Sequence, residues 1–142
     1  MDTDPIVVDA NVVFAAFIAD GATREIVLDR GLDLRSPPWL WEEVAGRYDW
    51  LLQKTNLPAA ALDELLRQTR DRIVDIPEAS IEQEREEALE LAGKAGRKDA
   101  PYIAAVLAVD GRLWTHDNTL ADEAPVRTVT TGGLLDEADR TK

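Results

Sequence analysis

The sequence contains no cysteine and only one histidine, His116, among its 142 residues. These absences exclude disulfides, cysteine nucleophiles and thiolate metal sites, and they disfavour zinc, which prefers nitrogen and sulfur ligands. The sequence also lacks a glycine-rich phosphate loop, a G-x-S-x-G nucleophile motif and a histidine metal-binding motif. A metal site in this chain is therefore expected to use mainly oxygen ligands, which select Mg²⁺ or Mn²⁺.

Long hydrophobic runs and an excess of positive charge are missing as well. No apolar run approaches the ~20 residues that a membrane span needs, and no signal-peptide pattern is present, so we expect a cytoplasmic protein with no membrane association. The formal net charge of −12 excludes a general basic surface for nucleic acids. Nucleic-acid binding would have to occur at a small, shaped site.

Short apolar runs alternate with helical patterns along the chain, which we predict to form one domain over residues 1–142. The predicted strands are residues 5–9, 32–36, 72–76, 112–115 and 127–129. The predicted helices are residues 11–20, 22–30, 39–54, 58–70, 78–92, 99–110 and 131–139. This alternation is typical of an α/β fold, with a central parallel sheet of about five short strands and helices on both faces.

Four acidic residues fall where such a sheet would bring the carboxyl ends of its strands together. Asp9 follows the first strand and Asp117 follows the fourth, at the edge where parallel sheets bind ligands. Helical spacing places Asp99 on the inner stripe of its helix and Glu43 on the flank of another, whereas Glu42 points to solvent. Clustered carboxylates repel one another unless cations hold them. The pattern therefore favours a divalent-metal site that acts on phosphodiesters.

Each of these acids also has a simpler structural interpretation. Aspartate is favoured at helix N-caps, which suits both Asp9 and Asp99. Asp117 is suited to an Asx-turn. Glu43 has the spacing to pair with Arg47 on one helix, an interaction worth only about 0.2–0.5 kcal/mol. The functional hypothesis thus depends on the convergence of the four acids on one edge.

A few other residues carry expectations of their own. Asn11 is predicted to be the N-cap of the first helix. Arg97 and Lys98 precede a helix N-terminus, where phosphate oxygens bind readily, and they are candidates for substrate contact. Three tryptophans fall within residues 39–50, which leaves open whether they are core residues or part of a homodimer or partner interface.

Several segments of the chain resemble PIN domains. They are residues 6–13, the helix that carries Glu43, residues 98–105 and residues 113–117. The resemblance extends from residue 5 to about residue 135, with the segments in the family's order and at its typical spacing. It implies a metal-dependent nuclease, and the small single-domain members of the family are commonly VapC-type toxins of toxin–antitoxin pairs.

The resemblance also implies roles for particular residues. Asp9, Glu43, Asp99 and Asp117 match the acids that hold one or two Mg²⁺ or Mn²⁺ ions for RNA cleavage. Asn11 and Thr115 match positions that support the site. Members of the family usually form homodimers, and the toxins among them bind an antitoxin protein.

One position departs from the family pattern. The last motif of many members reads T-x-D-x-D, but in this chain Thr115 and Asp117 are followed by Thr119, which provides a hydroxyl group without a charge. This change predicts a weaker second metal position. Asp122, three residues further on, is at most a partial substitute for the missing acid. It also leaves an alternative hypothesis, a PIN-fold interaction module without nuclease activity.

Overall fold

The computed structural model describes residues 4–18, 21–28, 31–93, 100–115 and 126–140, with side chains up to residue 136. Its five strands are β1 (Ile6–Val8), β2 (Leu34–Ser36), β3 (Ile73–Asp75), β4 (Arg112–Trp114) and β5 (Thr128–Val129). They form one sheet in the order β3-β2-β1-β4-β5, and every neighbouring pair is parallel. The predicted parallel sheet of about five short strands is confirmed.

Nine helices accompany the sheet within the described residues. They are α1 (Ala10–Ile18), α2 (Gly21–Leu28), α3 (Leu40–Gly46), α4 (Tyr48–Thr55), α5 (Ala59–Arg72), α6 (Glu78–Gln83), α7 (Arg85–Ala92), α8 (Ala100–Val109) and α9 (Thr131–Arg140). None of the helices in this part of the chain has the length and apolar character needed to cross a bilayer.

β1 and β4 are buried on both sides of the sheet, and successive residues supply opposite faces because side chains alternate along a strand. Ile6 and Val8 belong to one hydrophobic core, whereas Val7 belongs to another. In the same way, Trp114 and Leu113 of β4 point to the first and second core. The continuous apolar runs of β1 and β4 follow from this double burial.

We call the side of the sheet that carries α1 to α5 and α9 the first face. Its core contains the bulky side chains of Phe14, Phe17, Trp41 and Trp114. The second face carries α6, α7 and α8, and its core consists mainly of alanine, valine and isoleucine side chains. Helices on both faces were predicted from the sequence, and the structure confirms this.

Two of the predicted helices are each divided in the structure. The helix predicted over residues 39–54 is interrupted at Arg47, whose N–H donates to the carbonyl oxygen of Val44 at 3.1 Å. The helix predicted over residues 78–92 is interrupted at Glu84, whose N–H donates to Ile81 at 3.0 Å. Both interruptions are single tightened turns with i to i+3 hydrogen bonds.

The order of the strands defines where a ligand site is expected. From β1 the chain adds strands on one side, through β2 and β3, and then returns to place β4 on the other side of β1. The edge beyond β1 and β4 is therefore the point at which the strand order reverses, where open α/β sheets bind ligands. Gly111 permits the close approach of these two strands, because a Cβ there would overlap the carbonyl oxygen of Pro5.

Candidate active site

Asp9 lies at the carboxyl end of β1, at the point where the strand order reverses. Val8 is level with Trp114 of β4, so Asp9 and Thr115 leave the sheet at the same edge. Thr115 is 1% exposed, and its N–H donates to the carbonyl oxygen of Val129 at 3.1 Å. The sheet register thus fixes the backbone positions of both residues.

The carboxylate of Asp9 also caps α1. Its Oδ1 accepts a hydrogen bond of 3.0 Å from the N–H of Val12, the usual geometry of an aspartate N-cap. The prediction that Asn11 caps this helix was wrong. The helix begins at Ala10, directly after Asp9, and Asn11 is an exposed residue of its first turn. Capping fixes the orientation of the Asp9 side chain and is compatible with binding a ligand.

Glu43 lies in the first turn of α3, which the chain enters from the end of β2. Its N–H donates to the carbonyl oxygen of Trp39 at 3.1 Å. The side chain is exposed, yet partial removal of water by the surrounding protein raises the pKa of Glu43 above its usual value. The charged form of this carboxylate is therefore disfavoured in the protein without a bound cation.

Arg47 does not neutralise Glu43. Its guanidinium group lies over the ring of Trp50 at 4.4 Å and near that of Phe14 at 5.5 Å from the ring centroids. These two rings pack edge to face with centroids 5.6 Å apart, so the guanidinium is held by a formed aromatic pair. The ion pair considered from the spacing of Glu43 and Arg47 is not among the salt bridges of the described residues.

Tyr102 connects the two described acids. Its hydroxyl group is buried and makes no hydrogen bond to any residue that the structure describes. Burial, and then the negative charges of Glu43 and Asp9, raise the pKa of Tyr102, so its hydroxyl group remains protonated. The N–H groups of Ala10 and the Trp39 indole favour the ionised form weakly, but neither has the geometry of a hydrogen bond.

Asp9 and Glu43 both lie near Tyr102, although one comes from a strand end and the other from a helix. Sequence reasoning gave Tyr102 no functional role. A signal was available, because Tyr102 follows Asp99 by three residues and therefore lies one turn further along the same helical face. Burial of its hydroxyl group depends on tertiary packing, which spacing alone does not reveal.

The family relationship follows from a comparison with protein-family models. The PIN domain model matches residues 7–133. The chain belongs to the PIN domain family. A comparison with curated proteins finds no significant match. This match confirms the resemblance that the four sequence segments indicated. PIN domains are nuclease folds that generally use divalent metal ions.

The remaining acids predicted for this PIN domain, Asp99 and Asp117, lie outside the described residues, as do Arg97, Lys98 and His116. Thr119 and Asp122 also lie outside them. The described part of the chain contains no group of three or more acidic or histidine residues that could hold a metal ion. It does contain the buried start of α8, where Ala100, next to Asp99 in the sequence, is 5% exposed.

The described side chains fit the oxygen chemistry of a hard divalent cation. Asp9 and Glu43 provide carboxylates, and the ionised form of Glu43 is disfavoured by loss of water without a described cation to offset this. The hydroxyl group of Tyr102, whose pKa both carboxylates raise, adds a neutral oxygen near them. Mg²⁺ and Mn²⁺ prefer oxygen ligands of this kind.

Proposed function

We propose that this PIN domain is a Mg²⁺- or Mn²⁺-dependent endoribonuclease. The feature that supports the proposal best is that Asp9 and Glu43, from separate elements, both lie near enough to Tyr102 for their negative charges to raise its pKa. The charged form of the Glu43 carboxylate is disfavoured in the protein. The Asp9 carboxylate caps α1 through one of its oxygens. A metal ion would stabilise both charges.

In this proposal, Asp9 and Glu43 hold the ion together with Asp99 and Asp117, in one or two metal positions. When bound, the ion supplies an activated water and stabilises the charge that develops on the phosphodiester during cleavage. Asn11 and Thr115 support the acids from their neighbouring positions. Arg97 and Lys98 contact phosphate groups of the substrate.

Tyr102 has a separate role in the proposed reaction. Because its pKa is raised, the phenol keeps its proton at neutral pH and can donate a hydrogen bond to an oxygen of the bound phosphate. The buried hydroxyl group makes no hydrogen bond to a described residue, so such a contact, which requires the hydroxyl group to become accessible when substrate binds, would satisfy it. The phenol would orient the substrate without carrying charge.

We further propose that the protein acts in the cytoplasm as a homodimeric toxin that is neutralised by an antitoxin protein. The proposal rests on the family, whose small single-domain members commonly have this role. Expression of the wild-type chain should arrest growth, and the Asp9→Asn variant should not. Arrest by both forms would contradict a toxic activity that depends on the acidic site.

Cleavage of single-stranded RNA by the purified protein tests the nuclease proposal. We expect cleavage with added Mg²⁺ or Mn²⁺, none with EDTA, and a loss of at least about 100-fold in Asp9→Asn and Asp99→Asn. Glu43→Gln should also lose activity, whereas Glu42→Gln, the same change at the neighbouring exposed residue, should keep it. Cleavage without metal, or full activity in the Asp9 and Asp99 variants, would contradict the proposal.

A second candidate is an interaction module of PIN fold without nuclease activity. The substitution of Thr119 for an acid of the usual motif and the net charge of −12 favour it. This candidate predicts no binding of Mg²⁺ or Mn²⁺ in the millimolar range by calorimetry. Saturable metal binding together with RNA cleavage would reject it.

A further inference from the structure

A cavity of about 420 Å³ opens on the second face of the sheet, between α6, α7 and the start of α8. Trp39, Ile81, Leu89 and Pro101 provide apolar walls, and Glu78 provides a carboxylate. Its volume lies within the roughly 300–1,000 Å³ that is usual for small-molecule sites. The combination of flat apolar walls and a few polar groups is also typical of such sites.

This cavity adjoins the candidate active site through Trp39. The indole ring of Trp39 packs edge to face against Tyr102, with ring centroids 6.4 Å apart. Tyr102 in turn lies within the electrostatic influence of Glu43 and Asp9. Ala100 is part of the cavity wall and follows Asp99 directly in the chain. A ligand group in the cavity would therefore be a close neighbour of a phosphodiester bound at the acids.

The charges around the cavity restrict what it can bind. Glu82 pairs with Arg85 at 3.2 Å, and both line the cavity, whereas Glu78 is exposed and makes no ion pair with a described residue. The carboxylate of Glu78 would repel a phosphate group and favours a ligand that offers hydrogen-bond donors. Glu82 already offsets the charge of Arg85, so charge alone does not exclude a cation. The apolar walls favour a neutral ring with donors on its edge over a strongly hydrated cationic group, because a charged group loses more on leaving water.

We propose that this cavity binds one unstacked base of the RNA substrate, next to the phosphodiester held by the acidic site. The base packs against Trp39, as single-stranded bases commonly do on aromatic side chains. Glu78 accepts a hydrogen bond from the amino group that adenine, cytosine and guanine carry. Uracil has no amino group, and its single ring N–H donor is flanked by two carbonyl oxygens that the carboxylate repels, so uridine is expected to bind less tightly. The proposal rests on the proposed ribonuclease function.

Binding of short RNAs tests the cavity apart from catalysis. The probes are fluorescein-labelled single-stranded hexamers of adenosine, cytidine or uridine, measured by fluorescence anisotropy with Ca²⁺ in place of Mg²⁺ or Mn²⁺, and checked on gels for intact RNA. We expect the wild-type protein to bind the adenosine and cytidine hexamers at least about fivefold more tightly than the uridine hexamer. Equal affinity for the three hexamers, or no binding to any of them, would overturn the proposal.

Two variants test whether Glu78 and Trp39 are responsible for the base-selective binding. Glu78→Gln should remove it, because the amide both donates and accepts hydrogen bonds, whereas Glu86→Gln should keep it. Glu86 is an exposed residue of α7 outside the cavity wall, and its substitution changes the net charge equally. Trp39→Leu should weaken binding of all hexamers by about 5- to 100-fold. A preference that persists in Glu78→Gln, or that falls equally in Glu86→Gln, would overturn the proposal.

Parallel assays separate this inference from the nuclease proposal. Base-selective binding without cleavage in Mn²⁺ would support the cavity and contradict the nuclease. Cleavage in Mn²⁺ without base-selective binding would support the nuclease proposal and contradict the cavity proposal. Thermal unfolding of Trp39→Leu checks that it is folded, and Glu78→Gln, at an exposed position, provides the test if it is not. Should Glu78→Gln change the oligomeric state but not RNA binding, the cavity would belong to a protein interface, and the proposal would fail.

Discussion

The two faces of the sheet are built differently, although the same strands supply both. The first face packs bulky aromatic side chains, including Phe17 and Trp114, which are 1% and 0% exposed. The second face uses small side chains such as Ala88 and Ala105, and it keeps a cavity of about 420 Å³ beside the acidic edge. The comparison indicates that the first face provides most of the stability and the second leaves room for a ligand.

Removing side-chain volume from the first face and adding it to the second should give the largest difference in the free energy of unfolding. Phe17→Ala should lower the free energy of unfolding by about 3–5 kcal/mol, because it leaves a cavity in a tightly packed core. Ala104→Val, in the wall of the second-face cavity, should cost less than about 1 kcal/mol, since the added methyl groups have space. Denaturant unfolding measures both. Equal costs would show that the two faces are packed alike.

Substitution of Tyr102, at the boundary between the second face and the acids, should raise the stability of the fold and lower its activity. Tyr102→Phe removes a buried hydroxyl group that has no hydrogen-bond partner among the described residues, so it should stabilise the fold by roughly 1 kcal/mol. The same change should slow RNA cleavage about 10-fold if the phenol contacts the substrate. A variant that is less stable, with unchanged cleavage, would show that the hydroxyl group has a structural role only.

The raised pKa of Glu43 predicts a smaller effect that depends on pH. The folded state holds the Glu43 proton more tightly than the unfolded state, so the contribution of this group to stability falls as pH rises above the ordinary carboxyl range of about 4–5. In metal-free buffer at pH 7, Glu43→Gln should therefore raise the melting temperature, by about 1–3 °C. At pH 3 the gain should vanish, because both side chains are then neutral.

Glu42→Gln is the matched control for this pH dependence, since Glu42 is the exposed neighbour on the same helix. It should leave the melting temperature nearly unchanged at both pH values. A Glu43→Gln variant that melts below the wild-type protein at pH 7 without metal would contradict the interpretation that the ionised Glu43 carboxylate destabilises the fold.

The sheet could be predicted from the sequence because its strands are short apolar runs between turn-forming residues, such as Ile6–Val8 before Asp9. The divided helices were not predicted, because the interruptions keep the spacing of the buried residues. Val44 and Leu51 lie seven residues apart across one interruption, and Ile81 and Ala88 across the other. A pattern that continues in phase gives no signal of a tightened turn.

The candidate site was predictable only in part, and for related reasons. Strand ends and helical phase select Asp9 and Glu43, since both depend on local geometry. The capping by Asp9, the stacking of Arg47 on Trp50 and the burial of the Tyr102 hydroxyl group depend on how distant elements pack. The second-face cavity is a property of tertiary packing alone, so no spacing rule could identify it.

The central claim is that carboxylates from separate elements share a divalent cation at the edge beyond β1 and β4. Calorimetric titration with Mn²⁺ tests it most directly. The wild-type protein and Glu42→Gln should bind the ion saturably, and Asp9→Asn and Glu43→Gln should each bind it at least about 10-fold more weakly. Absence of binding by the wild-type protein, or equal affinity in all four proteins, would contradict the claim.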